Sequence, residues 1–126
     1  MKQAICAGVF LLLTLGGTLW HSACLREAMD SYAGQLTAAR RLADEGDWAG
    51  AEEMTRRMWQ DWQKHDAQFH SLLRHSEIDE IHVTVGEVLE ALALADPSLY
   101  HPANARLITQ LRLLSQMEQL TLQNVL

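Results

Sequence analysis

Cysteine, proline and basic charge are all scarce in this chain of 126 residues, and each scarcity removes a class of function. Both cysteines, Cys6 and Cys24, lie in the first 25 residues. The remainder therefore has no disulfide framework and no cysteine metal site. Cys24 could still pair with Cys24 of a second chain in an oxidising compartment, which would make a homodimer. Only two prolines occur, Pro97 and Pro102, so few points interrupt a helical pattern. Lys2 is the only charged side chain before Arg26, and from there nine basic residues face sixteen acidic ones. That balance argues against nucleic acid, which wants a basic face, and against lying flat on anionic lipid. No glycine-rich phosphate loop and no G-x-S-x-G elbow is present.

What the chain does have is an uncharged run from Ala4 to Trp20. As a helix it would be about 26 Å long, and only His21 and Ser22 interrupt before Ala23-Cys24-Leu25, so about 22 residues could cross a hydrocarbon core of about 30 Å. Trp20 falls where an interfacial aromatic belongs, and Lys2 with the α-amino group favours a cytoplasmic N-terminus. The reading adopted is a transmembrane anchor over residues 1–25 and an extracytoplasmic helical domain over 26–126, a single-pass protein of the cell membrane. Two rivals share the same start. Signal cleavage after Ala23 would place His21 at −3, a poor site, and cleavage after Cys24 would place Ser22 there, a passable one. A lipidated Cys24 would usually want Leu where His21 stands.

Helical periodicity organises the rest. Leu25, Met29, Tyr32, Leu36, Ala39 and Ala43 form one apolar stripe, and no breaker separates it from the anchor. The two could thus be one rod. Gly46 predicts a left-handed stop, and Asp47 predicts the N-cap of a second helix from Trp48 to about Arg74. Its stripe is Ala51, Thr55, Met58, Trp62, His65, Phe69 and Leu72. The phase then breaks. Ser76 and Asp79, near to a capping box, predict a third helix from Ser76 along Ile78, Ile81, Val85, Val88, Leu92 and Ala95. A bent, continuous helix is the alternative. Asp96-Pro97 stops helix three, a loop covers 98–101, and Pro102 predicts the first position of helix four. That helix carries Ala103, Leu107, Leu111, Leu114 and Met117, and a tail from Leu120 packs back on the bundle. Leu42-Ala43-Asp44 recurs as Leu94-Ala95-Asp96, so two hairpins could form a minimal pseudo-repeat at an offset of 52. The expected fold is all-α: a transmembrane helix, then an antiparallel bundle of two helical hairpins.

Few residues suggest chemistry. His75, Asp79 and His82 are spaced for a metal on one unbroken helix, but a break at Ser76 moves His75 away. His65, His70 and His75 lie five apart and do not converge. Glu77, Asp79 and Glu80 are acids at a helix start, where the dipole attracts them. Trp48, Trp59 and Trp62 read first as core packing and second as a contact face. No cofactor, metal or catalytic residue is expected.

At His75-Ser76-Glu77-Ile78-Asp79-Glu80-Ile81 the chain resembles the bacterial family called domain of unknown function 4363. The resemblance extends to Gly46-Asp47-Trp48, to Trp59 and Trp62, and to the ending Asn124-Val125-Leu126. Arg74 departs from the pattern, which often has Asp there. The resemblance implies a membrane segment and a helical remainder, and supplies no activity. The favoured expectation is a membrane-anchored scaffold or accessory subunit docking another membrane or envelope protein. Its candidate contacts are Trp48, Trp59, Trp62, His75, Glu77 and Asp79. The alternative is an extracytoplasmic sensor of a small ligand or metal ion, with a pocket beside Trp48, Trp59 or His75. A hydrolase pairing His75 with Asp79 ranks third.

Overall fold

The computed structural model describes residues 1–67, 69 and 75–125; the side chains at 18, 21, 22, 75 and 118–125 lie outside that description. Leu72 and Arg74, both used in the sequence reading, are also outside the described residues. Everything described is helix or turn, so the chain is all-α.

The first helix, α1, runs unbroken from Lys2–Asp44. Its two halves differ in surroundings. Among the described side chains none before Leu25 is buried, and from Leu25 the whole expected stripe to Ala43 is buried. Ile5, Val9, Phe10, Leu11, Leu12 and Leu13 are all exposed. Four consecutive positions, 10–13, step about 100° each and so cover every side of the helix. Among the described residues no helix is long and apolar enough to cross a membrane.

The end of α1 forms as its sequence dictates. Gly46 has φ +88°, its N–H donates to the Ala43 carbonyl at 3.0 Å, and the Asp47 N–H reaches the Leu42 carbonyl at 2.8 Å. Two carbonyls left over by the helix end are thereby satisfied. The Asp47 carboxylate then accepts from the Gly50 N–H at 2.9 Å and caps α2, Trp48–Lys64. Here one expectation is corrected. The second helix is interrupted after Lys64 by a turn at His65, and the described residues Asp66, Ala67 and Phe69 beyond it are helical again. The His65 ring Nδ1 lies 3.0 Å from the Asp61 carbonyl, the acceptor its own N–H would take in a continuing helix. That N–H turns instead to the Trp62 carbonyl at 3.0 Å. His65 is exposed rather than part of the stripe, whereas Phe69 is buried as expected.

Helix α3, described over His75–Ala93, holds Ser76 inside it and exposed, so Ser76 is not its N-cap. Its β-branched Thr84 is tolerated because the hydroxyl donates to the Glu80 carbonyl at 2.9 Å. The stop is a copy of the first. The Ala95 N–H donates to Leu92 at 3.1 Å and the Asp96 N–H to Ala91 at 3.2 Å, but the left-handed position holds Ala95, with φ 49°. A side chain there costs about 1 kcal/mol that glycine avoids. Ala95→Gly is therefore expected to stabilise the protein by about 1 kcal/mol, and Gly46→Ala to destabilise it by about as much. Thermal unfolding followed by circular dichroism should show the two midpoints moving in opposite directions; equal or parallel shifts would refute this account of the turns.

Helix α4, Pro97–Val125, corrects three further expectations. Pro97, not Pro102, takes the first helical position, because the Asp96 carboxylate already accepts from the Ser98 N–H at 2.9 Å and the Ser98 hydroxyl at 2.6 Å. Those bonds hold the Asp96 carboxyl below its usual range. Pro102 sits inside the helix, and the carbonyl it leaves unpaired belongs to exposed Ser98. The backbone from Leu120 to Val125 continues as helix, not as a tail folded back. The pseudo-repeat is also displaced. Ala51 and Ala103 are both buried at offset 52, but Asp47 and Asp96 cap their helices at offset 49, while Asp44 ends α1. Turn and helix face thus do not share one register.

Packing closes a ring in which α1 lies against α2 and α4, and α3 against α2 and α4. The core joins the four stripes, with Trp62, Tyr32, Tyr100 and Met29 its largest fully buried side chains. Tyr100, at the head of α4, was not anticipated, because the helix was expected to start after it.

Candidate functional site

The three expected contact tryptophans divide. Trp62 is fully buried, stacked 6.2 Å from Trp59 and tilted against Phe69 at 4.8 Å. It offers no surface to a partner while the bundle is folded. Trp59 and Trp48 keep part of their surface but pack on the core, Trp48 edge-on to Tyr100 at 5.7 Å. Glu77 is half-buried and Asp79 is exposed on α3, whereas the His75 side chain lies outside the described residues. Of the six candidate contacts, Trp62 is thus buried, Trp48, Trp59 and Glu77 are half-buried and Asp79 is exposed.

Folding assembles two polar corners that spacing alone does not reveal. At the first, the Trp62 indole N–H donates to Asp66 Oδ1 at 3.3 Å, and His82 Nε2 lies 3.6 Å from the same oxygen. The imidazole also stands edge-on to Trp59 at 4.7 Å. This corner clamps the end of α2 to α3. Sequence spacing paired His82 with His75 and Asp79, and only tertiary packing brings it to Asp66. Among the described residues no three side chains of metal-binding type come together. Close by, the Tyr32 hydroxyl donates to Asp61 Oδ2 at 2.7 Å; burial and that carboxylate push its pKa well above the usual phenol value.

At the second corner, His101 Nε2 lies 3.2 Å from Asp44 Oδ1, with Arg40 Nε 3.9 Å from the other oxygen. These groups tie the start of α4 to the end of α1. Beneath them the Tyr100 hydroxyl is buried with no hydrogen-bond partner. Burial first, and then the charge of Asp44, push its pKa up to about 12, against a small opposing effect of Arg40. The phenol therefore stays neutral in the fold, and its contribution to stability is lost only as pH rises from 10 through that value.

Among the described residues, hollows run along the seam between α3 and α4, where Glu77 and Asp79 line separate ones. None of these hollows is lined by a tryptophan. These hollows are lined by acids and apolar side chains, with Arg106 and Gln110 where they adjoin. No curated protein and no solved structure matches the chain. A family model matches residues 19–125, a stretch that covers the bundle and omits most of the apolar run, and on that match the chain belongs to the family described as Domain of unknown function (DUF4363).

Proposed function

We propose that this chain is a membrane-tethered helical scaffold, with the first half of α1 in the bilayer and the bundle on the extracytoplasmic side, where it docks another membrane or envelope protein. One observation supports the tether above the others. The large apolar side chains of residues 5–13 are exposed around the full circumference of α1. Each would gain about 1.5–3 kcal/mol from leaving water. A single protein partner covers one face of a helix, whereas lipid covers all of them. The described apolar stretch ends at Gly17, short of a span, so the tether requires the helix to stay in lipid through Trp20 and towards Cys24. The backbone is helical throughout that stretch, and Trp20 is exposed.

The test is fractionation of cells expressing the full chain with a C-terminal tag. The protein should remain in the membrane pellet after alkaline carbonate, and its bundle should be cut only by protease added from the extracytoplasmic side. Leu12→Asp/Leu13→Asp places two charges at mid-helix, each costing about 3 kcal/mol in a bilayer, and should shift most of the protein to the supernatant. Wild-type protein in the carbonate supernatant would sink the tether. An N-terminus found by mass spectrometry at residue 24 or 25 would replace it with a cleaved signal.

A further inference from the structure

Helices α3 and α4 carry a second pair of stripes beside the ones that form the core. On α3 these positions are Val83, Glu87 and Glu90, continued by Leu94 in the turn that follows the helix, spaced 4, 3 and 4. On α4 they are Leu99, Pro102, Arg106, Gln110, Leu113 and Met117, spaced 3, 4, 4, 3 and 4. That spacing is the one by which a helix meets another along a seam. Yet no element among the described residues covers it. Three hollows of about 650, 470 and 160 Å³ follow one another along the seam, sharing Glu87 and Arg106 at one junction and Glu80 and Gln110 at the next. From Glu77 to Leu94 they extend over about 26 Å, five turns of helix. Val83 is 63 %, Leu94 62 % and Leu113 51 % exposed, although each stands in a stripe whose neighbours on the inner side are buried.

We infer that this seam is a docking groove for a basic amphipathic helix of a partner protein, an assignment that rests on the scaffold reading and names the partner's chemistry. Apolar side chains at both ends of the groove fit an apolar stripe on the guest. Charge decides the guest's flanks. Helix α3 holds Glu77, Asp79, Glu80, Glu87 and Glu90 and no lysine or arginine. A second copy of this face would bring like charges together, whereas lysines and arginines would be drawn to it. Two details agree. Arg106 of α4 already reaches across the seam to Glu87, an internal version of the contact a basic guest would make. At the floor, Gln110 Oε1 is buried with no hydrogen-bond partner, an acceptor suited to a donor from the guest.

The experiment uses the full chain in nanodiscs of zwitterionic lipid, with empty discs as the reference. The probe is a fluorescent 18-residue peptide with a leucine stripe flanked by lysines, and a scrambled peptide of the same composition. The striped peptide should bind about tenfold more tightly than the scrambled one, and less tightly as salt rises. Val83→Gln/Leu113→Gln leaves the net charge unchanged and touches only exposed positions. It should abolish the preference for the stripe while circular dichroism stays that of wild type. Arg106→Gln removes the internal competitor and should tighten striped-peptide binding about threefold. Equal binding of both peptides, or an unchanged preference in the glutamine variant, would overturn the groove. Dimers in detergent that Leu113→Gln dissolves would make a second copy the occupant and overturn the basic guest. Chain that does not enter the discs is tested with the same peptides in detergent, so failure of the groove and failure of the tether are told apart.

Discussion

Trp62→Ala is expected to remove about 4 kcal/mol of stability, the largest loss from any truncation in this bundle. The indole is fully buried and touches three other rings, Trp59, Phe69 and Tyr32, the last at 5.9 Å. Its removal loses the transfer energy of the largest side chain and leaves a cavity that rigid helices fill only in part. It also withdraws the indole N–H from Asp66, whose carboxylate helps clamp α2 to α3. A domain of about 100 residues holds about 5–15 kcal/mol in all, so this one change uses a large share. The midpoint of thermal unfolding should fall by about 15–30 °C. Trp62→Phe keeps a ring but not the N–H, and should cost about 2 kcal/mol. Trp48→Ala, at a half-buried ring, should cost less than Trp62→Ala. If Trp48→Ala were the more damaging, the core would be centred at the other end of the bundle from where these contacts place it.

The four stripes that meet around Trp62 were largely legible in the sequence, because burial in a helical bundle repeats every three or four residues and nothing else imposes that period. All six expected positions from Leu25 to Ala43 are buried, and so are Ile78, Ile81, Val85, Val88 and Leu92. The turns were legible where a residue has a strong backbone preference, as at Gly46 and Asp47. They were misread where a weak former occupies the same conformation. Ala95 is left-handed although alanine gives no such signal, and Pro102 looked like a helix start although Asp96-Pro97 had already supplied one. The end of α2 was missed because the period of the stripe continues past it. At the turn there, the His65 ring lies against the Asp61 carbonyl, and a local interruption with helix on both sides of it leaves no mark on periodicity.

The candidate surface was legible only in part, for a similar reason. Tryptophan and histidine attract attention as residue types, and the sequence reading gave them the contact role. The fold sends Trp62 inward and uses His82 as one side of a polar clamp. Glu77 and Asp79, the acids of the same reading, do line the seam between α3 and α4. Their apolar companions Val83, Leu94, Leu113 and Met117 were unremarkable in sequence, since a lone exposed apolar residue is common. Their alignment along one groove is visible only when α3 and α4 are laid side by side.

Asn104 is the position at which a nearly isosteric change should have the second large effect. It is fully buried where α4 meets α1; its amide N–H donates to the Leu36 carbonyl at 3.3 Å, and its Oδ1 has no partner. Asn104→Asp keeps the shape but turns a donor into an acceptor facing a carbonyl, in a site with no cation in hydrogen-bond contact. An unpaired buried charge costs about 3–5 kcal/mol, so the variant should be strongly destabilised at neutral pH. The new carboxyl would have its folded-state pKa raised above the ordinary value of about 3.9. Protonation is then favoured in the fold, so the penalty is small below pH about 4 and grows until pH passes the raised value. Urea unfolding of the variant, referred to wild type at each pH, should show the gap closing as pH falls towards 4. A gap independent of pH would mean that water or a rearranged side chain solvates the site. Asn104→Leu supplies the contrast. The Leu36 carbonyl keeps its own place in the α1 hydrogen-bond ladder, so nothing is orphaned, and an apolar group of similar volume should match or exceed wild-type stability. Asparagine at this point then acts on register more than on stability, fixing how α4 lies along α1. The alignment of α4 in turn sets which of its residues face α3 across the groove, so a partner that reads Leu99, Arg106 and Leu113 depends on a side chain it never touches.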